Sequence, residues 1–559
     1  MATAGMNSTA ALTGMLPSLV LVAALLSLPV CLLLLRLYRR AVLRGMGILA
    51  GTAAATPLPA ARAAPGAALQ IVEVEPAAAP APTGTAAQAL QRGVRGPWRA
   101  ALVYAGAGLV YALLMTAGSQ AADRQQRSGA LAQWAFLLWT YLWPGVLAVL
   151  LVAAYDARRR LQVLGAYGLV LAAICTFAVS HNPSLRGFAL PLAWLIYNGP
   201  PSVLLATFLL RPIRAVGPLV LVFMLMLALG SQLLITLADT NDAVLRSFAA
   251  TGAQVGLGAH GVFLAIIGVG MLVFGVLGWP LLRWLGRRYQ AKKFSDQSII
   301  VDALFMMFAF VQAIGFAFIH PWWMLIGPVA FVGYKTAALF GFGLPGGAGA
   351  PHTLLLLRVY RLGKRSERLF DKLRRHWQPV GSIRMIAGPD LVTSTVEPHE
   401  FLEFLSGRLA RSFVTGGADL ERRIAALDAA ADPDGRYRIN AFFCRTDTWQ
   451  MTMQRLAATS DVVLMDLRSF APANQGCLFE LGQLLDIVAL ARLLLLVDTS
   501  TDRLFLEATL QQLWSRLSAG SPNRGLAAPR LRLFRIGAQS EPVLRALLAH
   551  LLARPGEVA

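Results

Sequence analysis

Residues 460–499 read SDVVLMDLRSFAPANQGCLFELGQLLDIVALARLLLLVDT. The stretch parses as strand, loop, helix, strand. Residues 461–467 and 493–497 are short runs apolar on both faces, which suits strands in the middle of a parallel sheet covered by helices. The loop 468–476 holds the turn formers Pro472, Asn474 and Gly476. Residues 477–490 repeat apolar side chains at helical spacing. Ligands of such sheets bind beyond the carboxyl ends of the strands, where a loop enters a helix. Glu480 is expected there, in the first turn of the helix, and is the candidate reacting group.

The alternation continues on both sides. Strands are expected at 353–360, 382–387, 437–444 and 531–536. Helices are expected at 365–377, 400–413, 447–459, 503–517 and 541–552. Helix 365–377 puts Leu369, Phe370, Leu373 and Trp377 on one face, and Trp449 falls on the apolar side of helix 447–459. Strands alternating with helices define a three-layer α/β domain with a mainly parallel sheet over residues 353–559.

The string Gly476-Cys477-Leu478-Phe479-Glu480-Leu481-Gly482, set after a strand and a loop, resembles the glutamate motif of Toll/interleukin-1 receptor-like (TIR-like) domains and of the related nucleoside 2-deoxyribosyltransferases. The run Leu355-Leu356-Leu357-Arg358 resembles the opening strand of TIR-like domains attached to bacterial membrane proteins. The likeness is close over the quoted stretch and loose over the rest of the domain, and the loop lacks the Gly-Thr usual in the motif. It implies a Rossmann-like (flavodoxin/TIR-like) fold, and a glutamate, here Glu480, acting at the anomeric carbon of a ribosyl group. It also implies NAD or another nucleotide as ligand or substrate rather than a bound cofactor, and self-association into a homo-oligomer.

The chemistry fits the residue types. A carboxylate beside an anomeric carbon stabilises an oxocarbenium-like transition state or attacks it. Loop 468–475 would cover the ribose, Asp466 at the strand end would bond its hydroxyls, and Arg358 would meet a phosphate. Asn474 and Gly476 complete the candidate nucleotide-binding set. The ordinary alternatives are a glutamate favoured by a helix dipole and an aspartate that forms a strand-end turn. Cys477 is not a residue that starts a capping box. It reads as a packed small side chain, as Trp449 reads as core.

The N-terminal part is of another kind. The chain of 559 residues is 56% hydrophobic and only 14% charged, with a mean hydropathy of +0.58, which points to many membrane spans. Cys31, Cys175, Cys444 and Cys477 form no CxxC pair, so neither zinc nor a disulfide framework is expected. Spans are expected at 16–35, 100–118, 132–154, 161–180, 188–210, 216–237, 257–281, 298–319 and 322–343, the last two joined by a tight hairpin at Pro321 and Trp322. The organisation is thus a first span (1–38), an Ala/Pro-rich cytoplasmic loop (39–99), an eight-helix bundle (100–343), a linker (344–352) and the α/β domain. Of the net charge of +21, residues 1–349 carry a surplus of 15 and residues 350–559 only 6. With nine spans, eighteen basic residues fall in inside segments and four in outside loops. This asymmetry puts the N-terminus outside and the α/β domain in the cytoplasm. The lipid bilayer, not nucleic acid, therefore explains the charge, and composition suggests the inner membrane of a bacterium.

Asp302 and Lys335 fall at similar depth in the last two spans and can pair across adjacent helices, either as a structural ion pair or as a proton or ion site. Three functions follow for the whole chain. They are an N-glycosidic hydrolase or transferase, a non-catalytic nucleotide-binding or scaffold module, and a transporter with a regulatory cytoplasmic domain.

Overall fold

The computed structural model describes residues 2–47, 67–75, 84–122, 130–153, 157–181, 189–208, 216–291, 293–317, 319, 323, 325–343, 352–358, 364–388, 396, 398–427, 430–472, 474–537 and 540–553. The tight hairpin expected at Pro321 and Trp322 lies outside these residues, as do positions 344–351 of the linker. The chain forms two compact units. One comprises Met1–Arg36, Pro97–Pro345 and Glu397–Leu402; the other comprises Leu37–Gly96, Gly346–Val396 and Glu403–Ala559.

The first unit is helical. Its helices are α1 (Ala2–Gly45), α2 (Gly84–Ala122), α3 (Ala130–Val152), α4 (Ala157–His181), α5 (Ala189–Phe208), α6 (Gly217–Thr240), α7 (Asp242–Gln254), α8 (Ala259–Gln290), α9 (Asp296–Ala317) and α10 (Ile326–Gly343), the C-terminal end of α1 and the N-terminal end of α2 belonging to the second unit. Among the described residues, five helices are long and apolar enough to cross a membrane: Arg95–Ala122, Leu131–Val152, Arg158–His181, Gly217–Thr240 and Ala259–Gln290. A shorter apolar helix runs over Gln297–Ala313. The outer loop expected between the spans at 216–237 and 257–281 contains α7. Its Val244 and Phe248 pack on Ile235, Ala238 and Ile266, so apolar side chains spaced four apart fold this connection onto its neighbours.

Polar side chains inside this unit find one another. Lys335 on α10 pairs with Asp302 on α9, as their matched depth suggested. Tyr334 donates to the second oxygen of Asp302 at 2.9 Å, and the Lys335 ammonium lies 4.7 Å from the Phe294 ring centre. A second chain links four helices. Tyr111 donates to Gln312 Oε1 at 2.8 Å, Gln312 Nε2 to Asn198 Oδ1 at 2.9 Å, and Asn198 Nδ2 to the Thr140 carbonyl at 3.2 Å. All four residues are buried, and in an apolar medium each bond avoids the desolvation cost of an unpaired group. Helix α5 continues through Pro200 and Pro201. Helices α6 and α8 touch backbone to backbone, since a Cβ on Gly230 would lie 2.4 Å from the Gly270 carbonyl oxygen.

The second unit holds a parallel sheet of seven strands in the order β1-β7-β6-β5-β2-β3-β4. The strands are β1 (Gln70–Val74), β2 (His352–Arg358), β3 (Gly381–Ile386), β4 (Ile439–Phe442), β5 (Val462–Asp466), β6 (Leu493–Val497) and β7 (Arg530–Arg535). The helices are α11 (Lys364–Trp377), α12 (Pro398–Leu405, divided between the units), α13 (Gly417–Ala425), α14 (Trp449–Thr459), α15 (Gln475–Ile487), α16 (Arg503–Trp514) and α17 (Glu541–Leu552). Alternate strand residues face two separate cores. Leu355, Leu357, Val463, Met465 and Leu495 pack under α14, α15 and α16. Leu354, Leu356, Leu464, Leu494 and Leu496 pack under α11 and α17. This is the expected three-layer arrangement, with strands buried on both faces.

Two expectations are corrected here. The Ala/Pro-rich segment 39–99 is not a loop throughout, because Gln70–Val74 forms an edge strand parallel to β7. Gln511 and Trp514 of α16 donate to the carbonyls of Leu69 and Ala67 at 2.8 and 2.9 Å, and Glu73 meets Arg503 at 3.3 Å. The other correction is the strand order. A flavodoxin-type sheet places one strand outside the first strand of the domain. Here β3 and β4 both lie outside β2, so the order β4-β3-β2-β5-β6-β7 is the doubly wound one that reverses direction between β2 and β5.

Candidate functional site

That reversal brings the candidate residues together. In the β2–β5 register Arg358 stands opposite Asp466, each at the carboxyl end of its strand, where doubly wound sheets open a crevice. Both are buried. Beyond β5 the chain turns back into α15. Asn474 precedes the helix, its side chain accepting from the Ala471 amide at 2.9 Å, while the Cys477 and Leu478 amides donate to its carbonyl. The helix therefore starts at Gln475, two residues before the expected position, and Glu480 lies in its second turn, with no acidic residue in the first. A dipole-favoured first-turn glutamate no longer accounts for it.

Glu480 shares the sheet-facing side of α15 with Cys477, Leu481, Leu484 and Leu485, all buried. The side chain is 1% exposed, and its Oε2 has no hydrogen-bond partner. Burial pushes its pKa up to about 8, against the lowering effect of the Arg358 charge. At neutral pH the group is thus mainly a neutral acid, able to donate a proton or a hydrogen bond from an apolar setting. Cys477 is buried in the core, and Trp449, half-buried, packs against it, edge-on to Phe479 at 5.4 Å.

The other candidates separate. Asp466 is bound by Arg468, whose Nε and Nη2 donate to its two oxygens at 2.8 and 2.7 Å, both side chains nearly inaccessible. Its carboxylate serves this bidentate pair first. Gly476 is exposed, with open space where a Cβ would sit, so its value to a ligand is access rather than a close backbone contact. Arg468 was missed from the sequence, although an aspartate two residues before an arginine at a strand end is a legible sign of a buried pair. Ser469 was also missed. It adopts a left-handed backbone with φ of 59°, an uncommon conformation for a residue with a side chain. Its amide donates to Ser500 Oγ at 3.0 Å. Ser500 Oγ in turn donates to Asp498 at 2.5 Å, tying the loops after β5 and β6 together. Among the described residues no cluster of His, Cys, Asp or Glu could hold a metal ion.

No protein-family model, curated protein or solved structure matches this chain.

Proposed function

We propose that the chain is a nine-span protein of a bacterial inner membrane, N-terminus outside, whose cytoplasmic Rossmann-like, TIR-like domain binds NAD or another nucleotide beside Glu480. The observation that carries this reading is a buried carboxyl with an unpartnered oxygen, next to Arg358, at the reversal point of a doubly wound sheet. Leaving a buried polar atom unpaired costs about 1–3 kcal/mol, and a ligand group that fills the gap recovers it. Arg358 suits a phosphate. Glu480, as a neutral acid, suits a ribose hydroxyl or the base of a nucleoside, which it would protonate as the C1′–N bond breaks and water takes the base's place; nicotinamide leaves NAD already neutral and needs no proton, so with NAD the group would act ionised, beside the oxocarbenium-like charge.

Full-length protein in nanodiscs, incubated with NAD and with nucleosides, tests this by release of nicotinamide or free base. Release that is lost in Glu480→Gln supports hydrolysis. Binding of nucleotide without release, weakened by Arg358→Met, supports the non-catalytic signalling or scaffold alternative, in which the domains assemble as a homo-oligomer. Neither binding nor release would reject the nucleotide reading. The transporter alternative rests on the half-buried Asp302–Lys335 pair and would require solute or ion flux that Lys335→Met alters.

A further inference from the structure

Helix α11 carries six Lys or Arg against two acidic residues, Glu367 and Asp371. Its net charge of +4 is two thirds of the +6 surplus of residues 350–559, concentrated in 14 residues. The helix is strongly two-faced. Leu369, Phe370, Leu373 and Trp377 are buried in the core under the sheet, while Arg368, Lys372 and Arg375 are exposed. Positions 368, 372 and 375 are four and three residues apart, so they form one stripe along the outer side. In the sequence the helix begins 21 residues after α10 ends at Gly343. Clusters on the order of four to eight basic residues just beyond a membrane helix are drawn to the anionic cytoplasmic leaflet.

We propose that the outer face of α11 binds anionic phospholipid headgroups, so that the α/β domain rests on the cytoplasmic leaflet through this helix. The stripe is a partner surface distinct from the Glu480 site, because α11 and α15 cover different cores of the sheet and the stripe faces away from it. The proposal uses the cytoplasmic placement given above but not the nucleotide reading. Discs expose both leaflets, so a failure here is separate from an error in sidedness.

The full-length chain is reconstituted in nanodiscs of pure phosphatidylcholine and of phosphatidylcholine with 30% phosphatidylglycerol. Lys372 is acetylated and the arginines are modified with phenylglyoxal, with exposed Arg524 as the internal reference. The expected result is several-fold slower labelling of Lys372, Arg368 and Arg375 in the anionic discs only. Protection should be lost in 0.5 M salt, where screening shortens the reach of the charge. In Arg368→Glu/Arg375→Glu, Lys372 should label equally in both discs while the unfolding midpoint stays unchanged. Equal labelling of the native chain in the two lipids would overturn the proposal. So would equal protection in the neutral discs by an added soluble polyphosphate, which would make the stripe a site for a free polyanion.

Discussion

Glu480 makes the sharpest single-residue test because its protonation is coupled to folding. An ordinary glutamate titrates near 4.5, and burial holds this one at about 8. The folded chain therefore keeps a proton that the unfolded chain has released. That contribution to stability is complete below pH 4.5 and is lost as the pH rises through about 8. Each unit of displacement is worth about 1.4 kcal/mol. Glu480→Gln keeps the shape and cannot ionise, so its stability relative to the native chain should climb by several kcal/mol between pH 5 and pH 9. Denaturant midpoints at three pH values measure this, and a pH-independent difference would contradict a buried acid. A cationic ligand such as the pyridinium of NAD would favour the ionised form. Its binding near pH 7 should release a proton, seen as a dependence of the calorimetric heat on buffer. Arg468 offers a second test. Removing it in Arg468→Met strands the Asp466 carboxylate in the interior, at about 3–5 kcal/mol, while Asp466→Asn/Arg468→Met should recover a good part of that loss.

The same contrast between what is local and what is distant decides which elements could be read from the sequence. Strand β6 and helix α17 fall at their expected bounds, because each is a dense apolar pattern between clear turn residues. Helix α15 is displaced because Asn474, not Cys477, starts it. Helix α13 went unread, being nine residues long with only Leu420 fully buried. Strand β1 was illegible for a stronger reason. QIVEV is too short to stand out in an Ala/Pro-rich tract, and its partner β7 lies more than 450 residues away. Its role can be tested by register. The Gln70 amide donates to the Pro529 carbonyl at 2.8 Å, and in a parallel ladder the next residue to donate inward is two further on, Val72. Val72→Pro should therefore loosen the strand by about 1 kcal/mol or more, whereas Ile71→Pro, whose amide faces away from β7, should be milder. Protease cleavage in the segment that contains β1, before α2, reports both, and an equal effect would argue against this register.

At the scale of the whole chain, β1 constrains what hydropathy alone left open. Charge asymmetry favours nine spans, but span boundaries at α5, α9 and α10 are hard to read, since Pro200 and Pro201 interrupt one apolar run and Asp302 and Lys335 lower two others. Strand β1 precedes α2 and pairs with β7, which follows α10. Two strands of one sheet lie on the same side of a bilayer, so the number of crossings between residues 84 and 352 must be even. Eight satisfies this; seven or nine does not. Hydrogen-bonded pairing of β1 with β7 fixes this parity wherever each span begins. It gives a paired expectation for reporter insertions that are active on one side only. An insertion at position 60 and one after Pro345 should report the same side, the cytoplasm, and an N-terminal fusion the opposite side. If positions 60 and 345 reported opposite sides, β1 could not complete the sheet in the membrane-embedded protein, and both the strand assignment and the nine-span count would have to be abandoned together.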